Sequence, residues 1–358
     1  MVDGGEILYV GCYTAEAGGR GEGVVAVRRD PVTGALDPLG TVAPTESPSF
    51  LVRHPSLPVL YAVNESAEGT VSAWAIDADA PARPGLRPLG SWSTGGDSPC
   101  HLAVAPDGGY IFAANYGSGS VSVHPLDLAG VPGERTDLRV HDGHGPDPER
   151  QERAHAHMVS PDPAGGALLA VDLGTDTVYR YDLDHSRGRL LPREPVTRTR
   201  PGTGPRHLAR HPDGHRLYLA GELDATVVAY SRESGGTLRE RGRVAASARH
   251  GLVQPSEITV RPDGRFLYVG NRGVGTISVF ALDAEVPRYV TEVATGGTWP
   301  RHFTLIGTHL YVADERSDVV SVFVVDPTGG VPEPAGSVAV PSPTCVLGPP
   351  APPAEAIR

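Results

Sequence analysis

A Pro-Asp-Gly triplet flanked by β-rich runs recurs along this 358-residue chain. The clearest copies are SPCHLAVAPDGGYIFAANYGSGSVSVHPLD (98–127), GPRHLARHPDGHRLYLAGELDATVVAYS (204–231) and PSEITVRPDGRFLYVGNRGVGTISVFALD (255–283). WPRHFTLIGTHLYVADERSDVVSVFVVD (299–326) shortens the turn, and looser copies occupy 47–77 and 156–184. The repeat distance is roughly 50 residues, the scale of a multi-stranded supersecondary unit rather than a single hairpin. In each copy Pro presets φ for the turn and Gly accepts φ > 0, so two alternating runs fold back on each other. A third run and a weak fourth follow, and no helical periodicity is present. Four antiparallel strands repeated radially make a β-propeller blade, so the expected fold is all-β.

The ends complete the count. ILYVGCYTAEAGGRGEGVVAVRRD (7–30) matches the second and third strands of a copy but lacks a first, and SPTCVLGP (342–349) is a first strand with nothing after it. Joining them gives a seventh blade shared by the termini, which closes the ring and removes free sheet edges. The chain is thus expected to form one propeller domain over 1–348, followed by a disordered Pro-rich tail over 349–358. The Gly-His and Trp-Asp signatures of tryptophan-aspartate propellers are absent.

Aligned on the turn prolines, the copies place Ser49, Cys100, His157, Arg206, Ser256 and Arg301 near the start of the first strand. Nine and ten residues after the proline come Asn64-Glu65, Asn115-Tyr116, Asp172-Leu173, Gly221-Glu222 and Asn271-Arg272, with Asp314-Glu315 and Cys12-Tyr13 equivalent. In an antiparallel pair the start of one strand lies beside the end of the next, so both sets fall at one end of the disc. First strands line the axis. His157, Arg206, Glu222, Arg272, Arg301, Glu65 and Glu315 are therefore expected around one channel mouth, a convergent polar site of the kind a ligand needs. His155, two residues before His157, is expected further out on the same strand face.

Other features read as structure. Asn64, Asn115 and Asn271 recur and are expected to cap turns. His101, His207 and His302 share the pattern P-x-H-[LF], which reads as a buried, hydrogen-bonded histidine on the opposite strand face. Cys12 and Cys100 read as packing. The insertion HDGHGPDPERQERAHAH (141–157) is rich in His, Asp and Glu, and His141, Asp142 or His144 could join an H-x-H metal site. It matches no fixed zinc spacing, and a lid over the mouth is the preferred reading.

Composition removes several function classes. Every one of the 31 basic residues is arginine, so no lysine can form a Schiff base with a carbonyl substrate or pyridoxal phosphate. A net charge of −11 with no basic run longer than Arg28-Arg29 excludes a phosphate-backbone binder, so nucleic acid is not an expected partner. No apolar run is long enough to span a bilayer, and MVDGGEILYVGCYT lacks the pattern of a secretory signal. Three cysteines without CxxC spacing suit a reducing compartment, so a cytoplasmic location is expected.

YVGCYT, NES, SPCHLAVAPDG…AANYGSGSVSV, RQERAHAH, GTGPRHL…GEL, GNRGVGTISVF and the late PRHF resemble, across essentially the whole chain, the seven-bladed propeller lactonase family. That family includes bacterial propeller-type 6-phosphogluconolactonases and fungal carboxy-cis,cis-muconate cyclase. The resemblance implies a site of one His, one Arg, one Glu and a further Arg. The first three correspond to His157, Arg206 and Glu222, and the fourth to Arg272 or Arg301. It implies no cofactor and no required metal. The expected activity is hydrolysis of a small anionic, sugar-acid type lactone, with 6-phosphogluconolactone the leading substrate. Glu222 or His157 would deprotonate water, while Arg206 and one of Arg272 and Arg301 would hold the anion and stabilise the oxyanion. Arg301, Arg272, His155 and Glu65 are the expected substrate-binding set. No Gly-x-Ser-x-Gly elbow supports an acyl-serine route. A cycloisomerase or lyase on another metabolite and a non-catalytic binding propeller are the alternatives. The only expected partner is a small anionic substrate, with the chain a monomer or weak homo-oligomer and no membrane attachment.

Overall fold

A computed structural model describes residues 5–77, 85–194 and 196–350. It is a ring of seven sheets. Six follow the repeat in order, beginning with Pro48–Arg53, Val59–Asn64, Thr70–Ile76 and Leu86–Ser93 as blade 1. Blades 2 to 6 start at Pro99, Ala156, Pro205, Val253 and Pro300. Blade 3 carries an additional short strand, Thr197–Arg198, paired with Thr177–Asp184. Blade 7 takes its first strand, Pro343–Leu347, from the C-terminal side and its other three, Glu6–Cys12, Gly23–Arg29 and Leu36–Pro44, from the N-terminal side. Tyr9 pairs with Leu347 and Gly11 with Cys345, so the expected closure by both termini is observed. The expected tail over 349–358 falls mostly on residues outside those described.

The turn chemistry reads directly from the sequence. Gly108 has φ +74°, and the Asp107 carboxylate accepts the Gly109 backbone N–H at 3.0 Å. Gly214 and Gly264 repeat that conformation. Apolar residues of each blade pack against the next blade rather than into one central core. Leu8, Val10, Val25 and Val27 of blade 7, for example, join Tyr311, Ala313, Val320 and Val322 of blade 6. Each of the seven blade interfaces has such a cluster, so the apolar core is a ring and the axis is left mainly to polar side chains.

Asn64, Asn115 and Asn271 hold the end of the second strand to the third. Asn64 accepts from the Thr70 and Ser72 hydroxyls, while Asn115 and Asn271 donate to Ser120 and Ser278. In blade 6 Asp314 does the same work by accepting from the Ser321 hydroxyl, whereas in blade 3 Asp172 accepts the Thr175 backbone N–H in the turn between the two strands. Among the described residues no helix is long and apolar enough to cross a membrane, and the three cysteines are free and buried.

Candidate active site

The first strand of every blade is irregular at the same place. Register shifts occur between Pro48 and Phe50, Pro99 and His101, Ala156 and Met158, Pro205 and Leu208, Pro255 and Ile258, and Pro300 and His302, and opposite Thr344 in blade 7. A bulge breaks period-2 alternation, so two consecutive side chains turn toward the axis instead of one. This corrects the expectation that His101, His207 and His302 lie on the opposite face. Their rings meet Phe50 and one another across the channel: Phe50–His101 at 4.2 Å, His101–His207 at 5.2 Å and Phe50–His302 at 5.4 Å. His101 and His207 are buried and His302 is half-buried, and all three are hydrogen-bonded, with His207 Nδ1 2.9 Å from Glu257 Oε2.

The residues expected at the mouth converge there and separate into two charge clusters. In the first, the Glu222 carboxylate, 1% exposed, lies 2.6 Å from an Arg272 nitrogen, 2.7 Å from Arg150 and 3.3 Å from Arg206 Nε. Three guanidiniums thus surround one carboxylate. Burial alone would raise the Glu222 pKa, but Arg272, Arg206 and Arg150 outweigh it and hold it at about 2. Arg206 is 3% exposed, and burial together with the Arg272 charge lowers its pKa to about 10. Its Nη1 is buried with no hydrogen-bond partner, an unusual cost for a charged donor. Arg272 is braced by the Gln254 carbonyl and the Trp299 ring.

The second cluster centres on Arg301, which lies 3.5 Å from Glu65 and 3.7 Å from Glu315. Arg301 also contacts the Tyr13 hydroxyl and lies over the Tyr13 ring, and that hydroxyl donates to Glu65 at 2.8 Å. Here two carboxylates surround one guanidinium. The choice between Arg272 and Arg301 left open by the sequence has a structural form: Arg272 joins Arg206 on Glu222, and Arg301 does not.

His157 lies between these groups. It is 6% exposed, and burial followed by the charges of Arg206, His207, Arg301 and Arg272 holds its pKa well below the usual histidine range. The ring is edge-on to Tyr116 at 5.6 Å and to His207 at 5.2 Å, with Cys100 Sγ 3.8 Å from its Nδ1. Burial pushes the Cys100 thiol up, which fits packing rather than reactivity. His155 does not join the arginine cluster. It stacks on Tyr116 at 4.5 Å, and its ring nitrogens face the Tyr116 carbonyl and Glu152.

The insertion covers the mouth through one side chain that sequence reasoning did not single out. Arg150 reaches Glu222 in blade 4 and the Tyr116 hydroxyl in blade 2. Its signal was present in RQERAHAH, where an arginine precedes the odd histidines. Tyr116 and Tyr13 were likewise at mouth positions but uncharged, and so passed over. The metal donors considered in this stretch disperse: His141 pairs with Asp172 at 2.6 Å and His144 faces the Gly145 carbonyl. Among the described residues no three His, Cys, Asp or Glu side chains are placed to hold a metal ion.

The model of the family "Lactonase, 7-bladed beta-propeller" matches residues 7–348. The chain is 33% identical over 349 residues to the 6-phosphogluconolactonase of Bacillus subtilis, covering 95% of this chain and 97% of that one. It is 27% identical over 327 residues to the 6-phosphogluconolactonase of Formosa agariphila, covering 88% and 91%. Among solved structures, the periplasmic gluconolactonase of Pseudomonas aeruginosa superposes with a TM-score of 0.89 at 32% identity, covering 96% of this chain and 98% of that chain. With the family model spanning the ring and these relatives matching nearly its whole length, the chain belongs to the lactonase family of seven-bladed β-propellers.

Proposed function

We propose that this protein opens a small lactone carrying an anionic group, of the sugar-acid type, in the manner of a 6-phosphogluconolactonase. The observation that carries this reading is the excess of guanidinium around Glu222, with a buried Arg206 nitrogen left unpartnered. Such a site attracts a phosphate or carboxylate despite the protein's net negative charge, because the local field governs binding. Arg206 and Arg272 take the anion, and a guanidinium aimed at the lactone carbonyl stabilises the oxyanion. His157, neutral at pH 7, accepts the proton of the attacking water. The water oxygen bonds to the carbonyl carbon, the ring C–O bond breaks, and the proton returns to the departing ring oxygen.

The expectation that Glu222 could be the base is set aside in this mechanism. A carboxylate held at about 2 is a weak proton acceptor, and its three ion pairs would have to be given up to reach a water. Glu222 instead spaces the arginines. The names of the relatives support the lactonase reading.

The test is ring opening of 6-phosphogluconolactone and of unphosphorylated gluconolactone by purified protein, with the spontaneous rate subtracted. Enzymatic rates that favour the phosphorylated lactone are expected. Background rates for both, or conversion only of a muconolactone, would overturn the proposal.

A further inference from the structure

The mechanism gives His157 a proton that its surroundings are poorly suited to keep. Arg206, Arg301 and Arg272 bear on it, and it is buried, so an imidazolium there is a cation among cations. Directly edge-on to it lies His207, at a ring separation of 5.2 Å and an interplanar angle of 74°. His207 differs from the other two histidines of its repeat, because its Nδ1 is 2.9 Å from a carboxylate oxygen of Glu257 on the neighbouring blade. His101 and His302 turn their Nδ1 atoms to the backbone N–H groups of Val159 and Val346. The other ring nitrogen of His207, Nε2, is buried and has no hydrogen-bond partner among the described residues. A carboxylate that fixes one ring nitrogen and leaves the other free is the arrangement that makes an imidazole a directed proton acceptor.

We propose that Glu257 and His207 form a buried dyad that takes up the proton His157 removes from water and returns it for the departing ring oxygen. The inference rests on the lactone-opening reading of the mouth. In the resting state Glu257 is a carboxylate accepting the His207 Nδ1–H, and His207 Nε2 carries a lone pair. His157 first gains the proton of the attacking water. No hydrogen bond joins the two rings in the resting state, so the His157 ring turns to bring its protonated nitrogen to His207 Nε2, and the proton crosses there while the Nδ1 proton moves onto Glu257. The loaded dyad is a carboxylic acid beside a neutral imidazole, and His157 is neutral again. No charge is created: a buried anion is neutralised where an isolated histidine would have become a buried cation. The reverse transfer delivers the proton to the departing oxygen.

The groups facing the dyad are consistent with this. Phe50 of blade 1 and His101 of blade 2 contact the His207 ring. His302 of blade 6 lies 3.8 Å from Glu257, and Cys345 of blade 7 feels its charge. The charges of His302 and of Arg206 supply positive potential that favours the resting carboxylate. Burial works the other way and raises the Glu257 pKa above the ordinary carboxylate value, which makes the group a usable proton store. Both residues reach the axis because each lies in the bulge of its first strand. Since they act through His157, they are positioning residues for the proton.

The experiment compares wild type with Glu257→Gln, Glu257→Asp and His207→Gln over a pH series, reading kcat, KM and Tm on 6-phosphogluconolactone. Glu257→Gln is expected to lower kcat by about ten-fold or more, to leave KM within about two-fold, and to abolish the rise of kcat with pH through the dyad's pKa. Glu257→Asp should recover part of the rate and the pH dependence. A Glu257→Gln protein that folds and shows wild-type kcat and pH profile overturns the dyad. Independently of activity, proton NMR of wild type should show a low-field His207 Nδ1–H signal that titrates together with a carboxylate. Its absence, or an isolated imidazole titration at His207, also overturns the proposal, even where a variant fails to fold. An inactive wild type that retains the low-field signal would instead defeat the lactone reading on which the relay depends.

Discussion

At the scale of single residues, Glu222 and His157 are both buried at the mouth and do opposite work. Replacing Glu222 with Gln removes the one anion among three guanidiniums, and breaking a buried ion cluster from one side costs about 3–5 kcal/mol. Glu222→Gln should therefore lower Tm and raise KM while leaving the shape of the pH–rate profile intact. His157→Asn should lower kcat by roughly 100–10,000-fold, the usual worth of a general base, with a near-normal Tm. A thermal melt beside a pH–rate series separates the two, and a Glu222→Gln profile that loses its limb would restore Glu222 as base. The same residues set the response to acid. His101, His157 and His207 have pKa values pushed well below the ordinary 6.5, chiefly by burial. A folded-state pKa below the unfolded one gives stability that is complete above pH 6.5 and lost as pH falls, at about 1.4 kcal/mol per pH unit for each group. Glu222 adds a second loss lower down, from its ordinary 4.5 toward about 2. Tm measured from pH 7.5 to 4 should start to drop near pH 6.5, and a flat Tm down to pH 5 would contradict neutral burial of these imidazoles. His157, Arg206, Glu222, Arg272, Arg301, Glu65 and Glu315 were legible because each departs from its repeat in a charged direction. Tyr13 and Tyr116 were not, since an aromatic at a strand end gives no such contrast.

At the scale of elements, the bulge and the insertion decide what a repeat-based reading could and could not see. Strict alternation assigned Arg206 to the axis and therefore its neighbour His207 to the other face. The shift between Pro205 and Leu208 puts both on the axis, and no local pattern in GPRHLAR announces it, because the bulge is a break in the ladder with the neighbouring strand rather than a property of the segment itself. The insertion before blade 3 was readable as a lid from its position, but its reach into blade 4 depends on tertiary placement. Arg150 leaves the loop to pair with Glu222 at 2.7 Å while remaining 35% exposed. On the proposed lactonase reading, that exposure would let it exchange Glu222 for a substrate phosphate, and a charge-assisted contact of this kind is worth about 1.5–3 kcal/mol. Arg150→Gln should raise KM for the phosphorylated lactone by about ten-fold or more and leave unphosphorylated gluconolactone nearly unaffected. Equal effects on both lactones would assign Arg150 to holding Tyr116 and Glu222 in place instead.

At the scale of the whole molecule, the ring stands or falls on blade 7. Its closure was legible because the two ends of the chain carried complementary fragments of one repeat, and the pairing of Pro343–Leu347 with Glu6–Cys12 has the expected antiparallel sense. Stability is distributed as seven blade-to-blade clusters, so no central core compensates if one interface opens. Val346 and Cys345 are each buried, the first against the blade 6 interface and the second against the blade 1 interface. The Val346 backbone N–H also anchors His302 in the channel. Removing residues 342–350 would delete the innermost strand of blade 7, strip both neighbouring interfaces and expose the Glu6–Cys12 edge. Burial of each large apolar side chain contributes about 1.5–3 kcal/mol, so losing several approaches the 5–15 kcal/mol that holds a typical domain folded. An exposed edge also offers unpaired N–H and C=O groups to a second chain. The truncated protein should therefore melt at least about 10 °C lower, lose any lactonase activity and associate through the open edge, as read by calorimetry and by light scattering on a sizing column. A peptide of residues 342–350 added in trans should restore part of the Tm if the lost strand is what closed the ring. A monodisperse truncated monomer with wild-type Tm would show that six blades and an open edge suffice, and that the site does not depend on closure.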